Sequence, residues 1–169
     1  MRVPGDLTGV EGLIIPGGES TTMTLGVQRE GLVEPLRRSV ADGLPVLGTC
    51  AGMIMLDRDH LGMMDIRTER NAFGRQVRSF ESEVAFMGIE GGPVRAVFIR
   101  APWIVEYGAD VTVVAVQDGH PIAAEQGPLL AVAFHPELAG ELRIHQRFLE
   151  RVRRPGVRSK DAGAPERLG

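Results

Sequence analysis

One cysteine, one tryptophan and one tyrosine occur in 169 residues, and aromatic side chains make up only 5% of the chain. The lone Cys50 excludes an internal disulfide and a cysteine-based zinc centre, and it fits a reducing, cytoplasmic setting. No apolar run approaches the roughly 20 residues of a membrane-spanning helix. The N-terminus lacks the basic-then-apolar layout of a secretory signal. Neither sign of charge dominates: 19 basic and 22 acidic residues leave a net charge of −3. Such a balance gives no reason to expect a nucleic acid or a membrane as partner. What is plentiful is apolar residues (43%), glycine (22) and proline (11). That combination describes a soluble domain with a sizeable core and many short elements joined by shaped loops.

The pattern along the chain alternates buried strands with amphipathic helices. Leu13-Ile14-Ile15 reads as a short strand stopped by Pro16-Gly17-Gly18. Ser20 or Thr21 is placed to cap a helix carrying Met23 and Val27. Leu32, Leu36 and Val40 define a second helix that ends at Gly43. Leu44 to Gly48 is a second buried strand, running into Cys50 and a helix over 51–56. This order predicts an α/β fold with a three-layer, mostly parallel open sheet and helices on both faces. The second half is β-rich. Val94–Ile99, Val111–Val116 and Leu129–Phe134 are strand candidates, with Asp118-Gly119 as a hairpin turn before His120–Glu125. Glu141–Val152 reads as a helix with Leu142, Phe148, Leu149 and Val152 on its apolar side. The domain is expected to span 1–152, and the polar tail 153–169 to be disordered.

Three segments carry chemistry. Gly48-Thr49-Cys50-Ala51-Gly52 sets a nucleophile at a strand-to-helix junction, with glycines where a sharp turn crowds its neighbours. The helix N-terminus there favours a thiolate. His135-Pro136-Glu137 follows another apolar strand, and in extended backbone His135 and Glu137 point to one side. A carboxylate beside an imidazole fixes its tautomer and stabilises the imidazolium. Both segments fall at the C-terminal strand edge, where open α/β sheets bind ligands. Pro16-Gly17-Gly18-Glu19-Ser20 follows a strand too, and its glycines let backbone N–H groups face an anion. Arg70, heading the stretch Arg70 to Gln76, and Arg100, in Ile99-Arg100-Ala101-Pro102, can hold a small anionic substrate. His60, His120 and His145 lack such surroundings and are read as solvent-facing. Asp57 to His60 reads as a surface loop.

In this order, Pro16-Gly17-Gly18-Glu19-Ser20-Thr21-Thr22, Gly48-Thr49-Cys50-Ala51-Gly52, Arg70 to Gln76, Ile99-Arg100-Ala101-Pro102 and Phe134-His135-Pro136-Glu137-Leu138 resemble one family. It is the glutaminase subunit of the two-component pyridoxal 5′-phosphate synthase, a class I glutamine amidotransferase with a flavodoxin-like fold. The resemblance implies hydrolysis of L-glutamine to L-glutamate and ammonia, with Cys50 as nucleophile, His135 as acid/base and Glu137 orienting it. It implies that Gly18, Glu19, Ser20, Arg70, Ile99 and Arg100 bind glutamine. Backbone N–H groups near Gly17, Gly18 and Ala51 are then expected to form an oxyanion hole. It further implies a partner, a barrel-shaped synthase subunit that receives the ammonia for vitamin B6 biosynthesis and without which the glutaminase is nearly silent. No metal and no cofactor are implied. Met53-Ile54 after Gly52 fits the vitamin B6 branch rather than relatives serving other pathways.

The family also implies one more strand and loop before the segment matched by Arg2–Pro4. The expectation is therefore a domain truncated at its N-terminus, either because the reading frame begins upstream of Met1 or as a genuine truncation. Two other readings use the same residues: an inactive remnant that serves only as a partner-binding subunit, and another α/β protein with a cysteine elbow.

Overall fold

Leu13–Ile15 (β1) and Val46–Thr49 (β2) are runs of apolar or small residues, and they pair in parallel as a buried strand pair should. The computed structural model describes residues 3–70, 72, 73 and 79–153. Helices Ser20–Arg29 (α1) and Val33–Ala41 (α2) connect these two strands. Ala51–Leu56 (α3) follows β2 directly, is buried along its whole length and packs over β1 and β2. Then come strands Ile66–Glu69 (β3), Ser79–Val84 (β4), Val94–Ile99 (β5), Trp103–Tyr107 (β6), Thr112–Gln117 (β7), His120–Gln126 (β8) and Leu129–Val132 (β9). Leu142–Arg153 (α4) is the last described element. Pro4–Leu7 forms a short 3-10 helix.

The central sheet has the order β1-β2-β9-β8-β7. Its first three strands are parallel, while β8 and β7 complete it antiparallel. This is the expected α/β architecture, with the β-rich second half supplying the antiparallel pairs. The Asp118-Gly119 turn sits where it was placed: Gln117 pairs with His120, and both turn residues have positive φ, 50° and 80°. Those angles suit the right-handed twist of a two-residue hairpin.

Two small sheets, β3-β6 and β4-β5, stand beside the central one. They meet it through an aromatic cluster. Phe80 and Phe98 stack at 4.6 Å, Phe98 meets Phe134 at 5.7 Å, and Phe73 touches Phe80, Phe98 and Trp103 at 5.1–5.3 Å. Trp103 of β6 lies flat on His120 of β8, ring centroids 3.5 Å apart and planes 8° from parallel.

The structure corrects several expectations. Of the residues expected on the apolar side of α4, Phe148 is buried, but Leu142 and Leu149 are exposed and Ile144 is buried in their place. Phe148 and Val152 pack on Gly12, where a Cβ would lie 2.6 Å from Val152. Spacing from this fixed contact, rather than leucine content, selects the inward face. Glu19, not Ser20 or Thr21, caps α1, because its longer side chain reaches back to two N–H groups of the first turn. His120 is covered by Trp103, and His145 is half-buried with its Nδ1 enclosed. Arg153 is helical, and 154–169 lie outside the described residues, as do Asn71 and 74–78. Among the described residues, no helix is long and apolar enough to cross a membrane.

Candidate active site

The site is built where β2 and β9 end side by side. Their register pairs Thr49 with Val132, and the Cys50 N–H donates to the Val132 carbonyl at 2.8 Å. Cys50 therefore leaves the sheet at the same level as the chain that leads, two residues on, through buried Phe134 to His135. The His135 N–H donates to the Val97 carbonyl of β5 at 2.8 Å, which fixes this departure point.

Cys50 has φ 50° and ψ −108°, a backbone conformation that L residues rarely hold. The flanking glycines make it achievable. A Cβ on Gly48 would lie 2.7 Å from the Gly52 carbonyl oxygen, and one on Gly52 only 2.0 Å from the Ile15 carbonyl oxygen. Helix α3 thus comes down onto β1 and β2 as closely as backbone allows, with Cys50 at the bend. Its Sγ lies 3.8 Å from the Ile99 carbonyl oxygen at the end of β5. Arg100 next to it has φ 45°, so this second strand end is also sharply turned.

His135 Nδ1 is 2.8 Å from Glu137 Oε1. The Cys50 side chain first, and Glu137 second, pull the imidazole pKa up to about 9 from its ordinary 6.5, against the opposing effect of burial. The ring therefore carries its proton through neutral pH. From the other side, the loop after β1 closes on the imidazole: a Cβ on Gly17 would sit 2.4 Å from His135 Cε1. Three strand ends and one glycine loop converge on this sulfur and imidazole.

The match to known proteins covers the same ground. The SNO glutamine amidotransferase family matches residues 1–154. The chain belongs to this family. Two similar proteins are pyridoxal 5′-phosphate synthase subunit PdxT of Frankia casuarinae, 51% identical over 160 residues, and of Parafrankia sp. (strain EAN1pec), 49% identical over 162. The alignments cover 89% and 90% of this chain and 80% of each relative. A solved structure described as a glutamine amidotransferase is 40% identical, with TM-score 0.84, over 90% of this chain and 84% of that one.

The remaining residues picked out for this amidotransferase from its sequence fall into two groups. Ser20 is buried at the start of α1, and Gly18 leaves only 2.8 Å between a would-be Cβ and Met23 Sδ. Glu19 turns its carboxylate onto its own helix, accepting from Thr21 N–H (3.1 Å), Thr22 N–H (2.7 Å) and Thr22 Oγ1 (2.6 Å). These bonds hold its carboxyl down at about 2. What Glu19 offers a ligand is therefore its backbone. Ala51 is the first residue of α3, the Ile99 carbonyl faces the thiol, and Arg100 follows it at the turned end of β5. Arg70, at the end of β3, reaches across to α1, where NH1 donates to Thr21 Oγ1 at 3.0 Å. Phe73, three residues on, packs into the aromatic cluster.

Sequence reasoning missed Asp57 and His60. Asp57 is 1% exposed rather than part of a surface loop, and it receives hydrogen bonds from the turn that contains His60. His60, read as solvent-facing, is bonded on both ring nitrogens. The available signal was Asp57-x-x-His60 directly after a fully apolar helix. Among the described residues, no group of His, Cys, Asp and Glu is arranged to hold a metal ion.

Proposed function

We propose that this chain is the glutaminase subunit of a pyridoxal 5′-phosphate synthase, using Cys50, His135 and Glu137 as its catalytic residues. The observation that carries the reading is the Cys50 elbow facing an imidazole whose Nδ1 is 2.8 Å from Glu137 and whose pKa is drawn up to about 9. An imidazolium next to a cysteine favours the thiolate, the nucleophilic form.

The thiolate attacks the side-chain carbonyl carbon of L-glutamine, and the carbonyl oxygen becomes an oxyanion. Backbone N–H groups near Gly17, Gly18 and Ala51 receive that charge. His135 gives its proton to the amide nitrogen, the C–N bond breaks, and ammonia leaves a glutamyl thioester on Cys50. Neutral His135 then takes a proton from water, and the resulting hydroxide cleaves the thioester to L-glutamate. The sulfur departs as thiolate and the imidazolium is restored, so the cycle closes without a redox partner. Glu137 keeps the ring oriented throughout.

Gly18, Glu19, Ser20, Arg70, Ile99 and Arg100 form the glutamine site in this reading, with Arg70 and Arg100 available to the α-carboxylate. Ammonia passes to a barrel-shaped synthase subunit, the partner implied by the relatives' description as subunits of one synthase. The test is glutamate release from glutamine by the full chain mixed with that synthase subunit. Release that disappears in Cys50→Ala supports the reading. A folded protein that releases no glutamate with its synthase partner overturns it in favour of a partner-binding remnant.

A further inference from the structure

Arg70 is held by an arrangement that begins in the core. Asp57 lies directly after α3, the helix that carries the elbow, and is 1% exposed. Its Oδ1 accepts from the N–H groups of Asp59 (3.0 Å) and His60 (3.1 Å), and its Oδ2 from Thr68 N–H (3.3 Å) and Thr68 Oγ1 (2.5 Å). A carboxylate with this many donors has one orientation. Against it, at 2.6 Å from Oδ1, stands His60 Nδ1, and the imidazole is itself largely covered, 17% exposed. The far nitrogen, Nε2, is 2.8 Å from Arg70 NH2.

The donor and acceptor roles follow without ambiguity. A guanidinium can only donate, so His60 Nε2 must present a lone pair to it. The ring proton then sits on Nδ1 and is donated to Asp57. His60 is therefore the neutral Nδ1–H tautomer, held at one end by a buried carboxylate and aiming its acceptor at an arginine. Arg70 spends one N–H on this imidazole and one on Thr21 Oγ1, 3.0 Å away in the first turn of α1. That turn follows the glycine loop lying on His135. The guanidinium is thus tied both to the turn after α3 and to the first turn of α1, and its remaining N–H groups can engage a carboxylate.

We propose that His60 is a positioning residue for the glutamine site: oriented by Asp57, it fixes the Arg70 guanidinium in the pose that receives the substrate's carboxylate. The inference rests on the glutaminase reading, in which Arg70 binds glutamine. An arginine on a free side chain would lose rotamer entropy on each binding event, and the Asp57–His60 couple removes most of that loss beforehand. The effect belongs to substrate binding, since His60 touches neither Cys50 nor the reacting amide.

The test uses the full chain with its synthase subunit and three variants. His60→Ala removes both nitrogens, His60→Asn keeps a donor for Asp57 only, and His60→Gln keeps an acceptor at the distance of Nε2. Alanine and asparagine should raise KM for glutamine roughly tenfold with kcat changed less than about twofold, and glutamine should recover most of the loss. In an Arg70→Ala background, His60→Ala should add nothing to KM. A purely structural histidine would lower Tm in all three variants without this ordering, and that result overturns the proposal. A second readout does not depend on turnover. Long-range 15N–1H spectra of the wild-type imidazole should show the proton on Nδ1 of His60. A proton on Nε2 overturns the proposal even if turnover is normal, whereas an Nδ1–H ring in a chain that never hydrolyses glutamine counts against the glutaminase reading alone.

Discussion

Gly52 and the carbonyl of Ile15 are in contact so close that a single methyl group cannot enter: a Cβ at Gly52 would be 2.0 Å from that oxygen. The partner atom is strand backbone, which cannot swing aside. Gly52→Ala should therefore push α3 off β1, costing about 3 kcal/mol and lowering Tm by roughly 10 °C. The displaced helix carries Cys50 at its start, so glutaminase activity should fall further than stability alone requires. Thermal denaturation and turnover measured on the same preparation check both.

Cys50→Ala should abolish turnover, by at least about 10⁴-fold, while leaving glutamine binding largely intact. Calorimetric titration with glutamine in the presence of the synthase subunit checks the second half. Wild-type turnover in this variant would remove Cys50 from the nucleophile role.

His135 and Glu137 should separate in magnitude. In the proposed mechanism His135→Asn removes the group that moves protons, and it should lose about 10²- to 10⁴-fold in kcat. Glu137→Gln removes only orientation and charge stabilisation, and its loss should be smaller. The reverse order in steady-state rates would mean that the roles are exchanged.

The pH profile follows from the same pair. A pKa raised to about 9 means that the imidazolium of His135 persists through neutral pH and is lost as pH climbs past 9. On this basis kcat/KM should decline with an apparent pKa near 9. Glu137 is one of the groups that pull this value up, so in Glu137→Gln the decline should begin at lower pH. A profile flat well above 9, or unmoved in Glu137→Gln, would contradict this assignment.

Glu19→Ala should test whether its carboxylate serves the helix or the ligand. Loss of the cap should cost about 1 kcal/mol of stability. Glu19→Asp keeps a capping oxygen and should restore most of it. If Glu19 met glutamine through its side chain, aspartate would restore Tm but not KM.

The parts of this molecule that were legible in its sequence are those whose constraint is local. The elbow announced itself because a cysteine with glycines two residues to either side is a pattern of five consecutive residues, even though the backbone that crowds Gly52 belongs to distant Ile15. His135 and Glu137 were legible because extended backbone sets i and i+2 on one side whatever lies elsewhere. Strands β3 and β6 escaped notice because β3 is mostly polar and β6, though rich in apolar residues, leaves most of them exposed: only Ile66 in β3 and Ile104 in β6 are buried. Their pairing depends on partners far apart in the chain, as Ile66 does on Tyr107. The inward face of α4 was misread because the exposed Leu142 and Leu149 resemble core residues until Gly12 shows where Phe148 must go. The role of His60 was invisible for the same kind of reason. Asp57 is three residues away, but Thr68 and Arg70 come from a strand that sequence patterning had not revealed.

The flat stack of Trp103 on His120 has a practical consequence. Trp103 is the only tryptophan of the chain, so its fluorescence comes from one place: the seam where the β3-β6 sheet rests on the central sheet. The emission of an indole depends on its immediate surroundings, so separation of the two rings changes it. The emission of the unlabelled protein is thus a built-in optical gauge of how firmly the small sheet is seated. Because β3 ends one residue before Arg70, that gauge reads the arm that reaches over the site, and it can be followed in real time as substrate and synthase subunit are added.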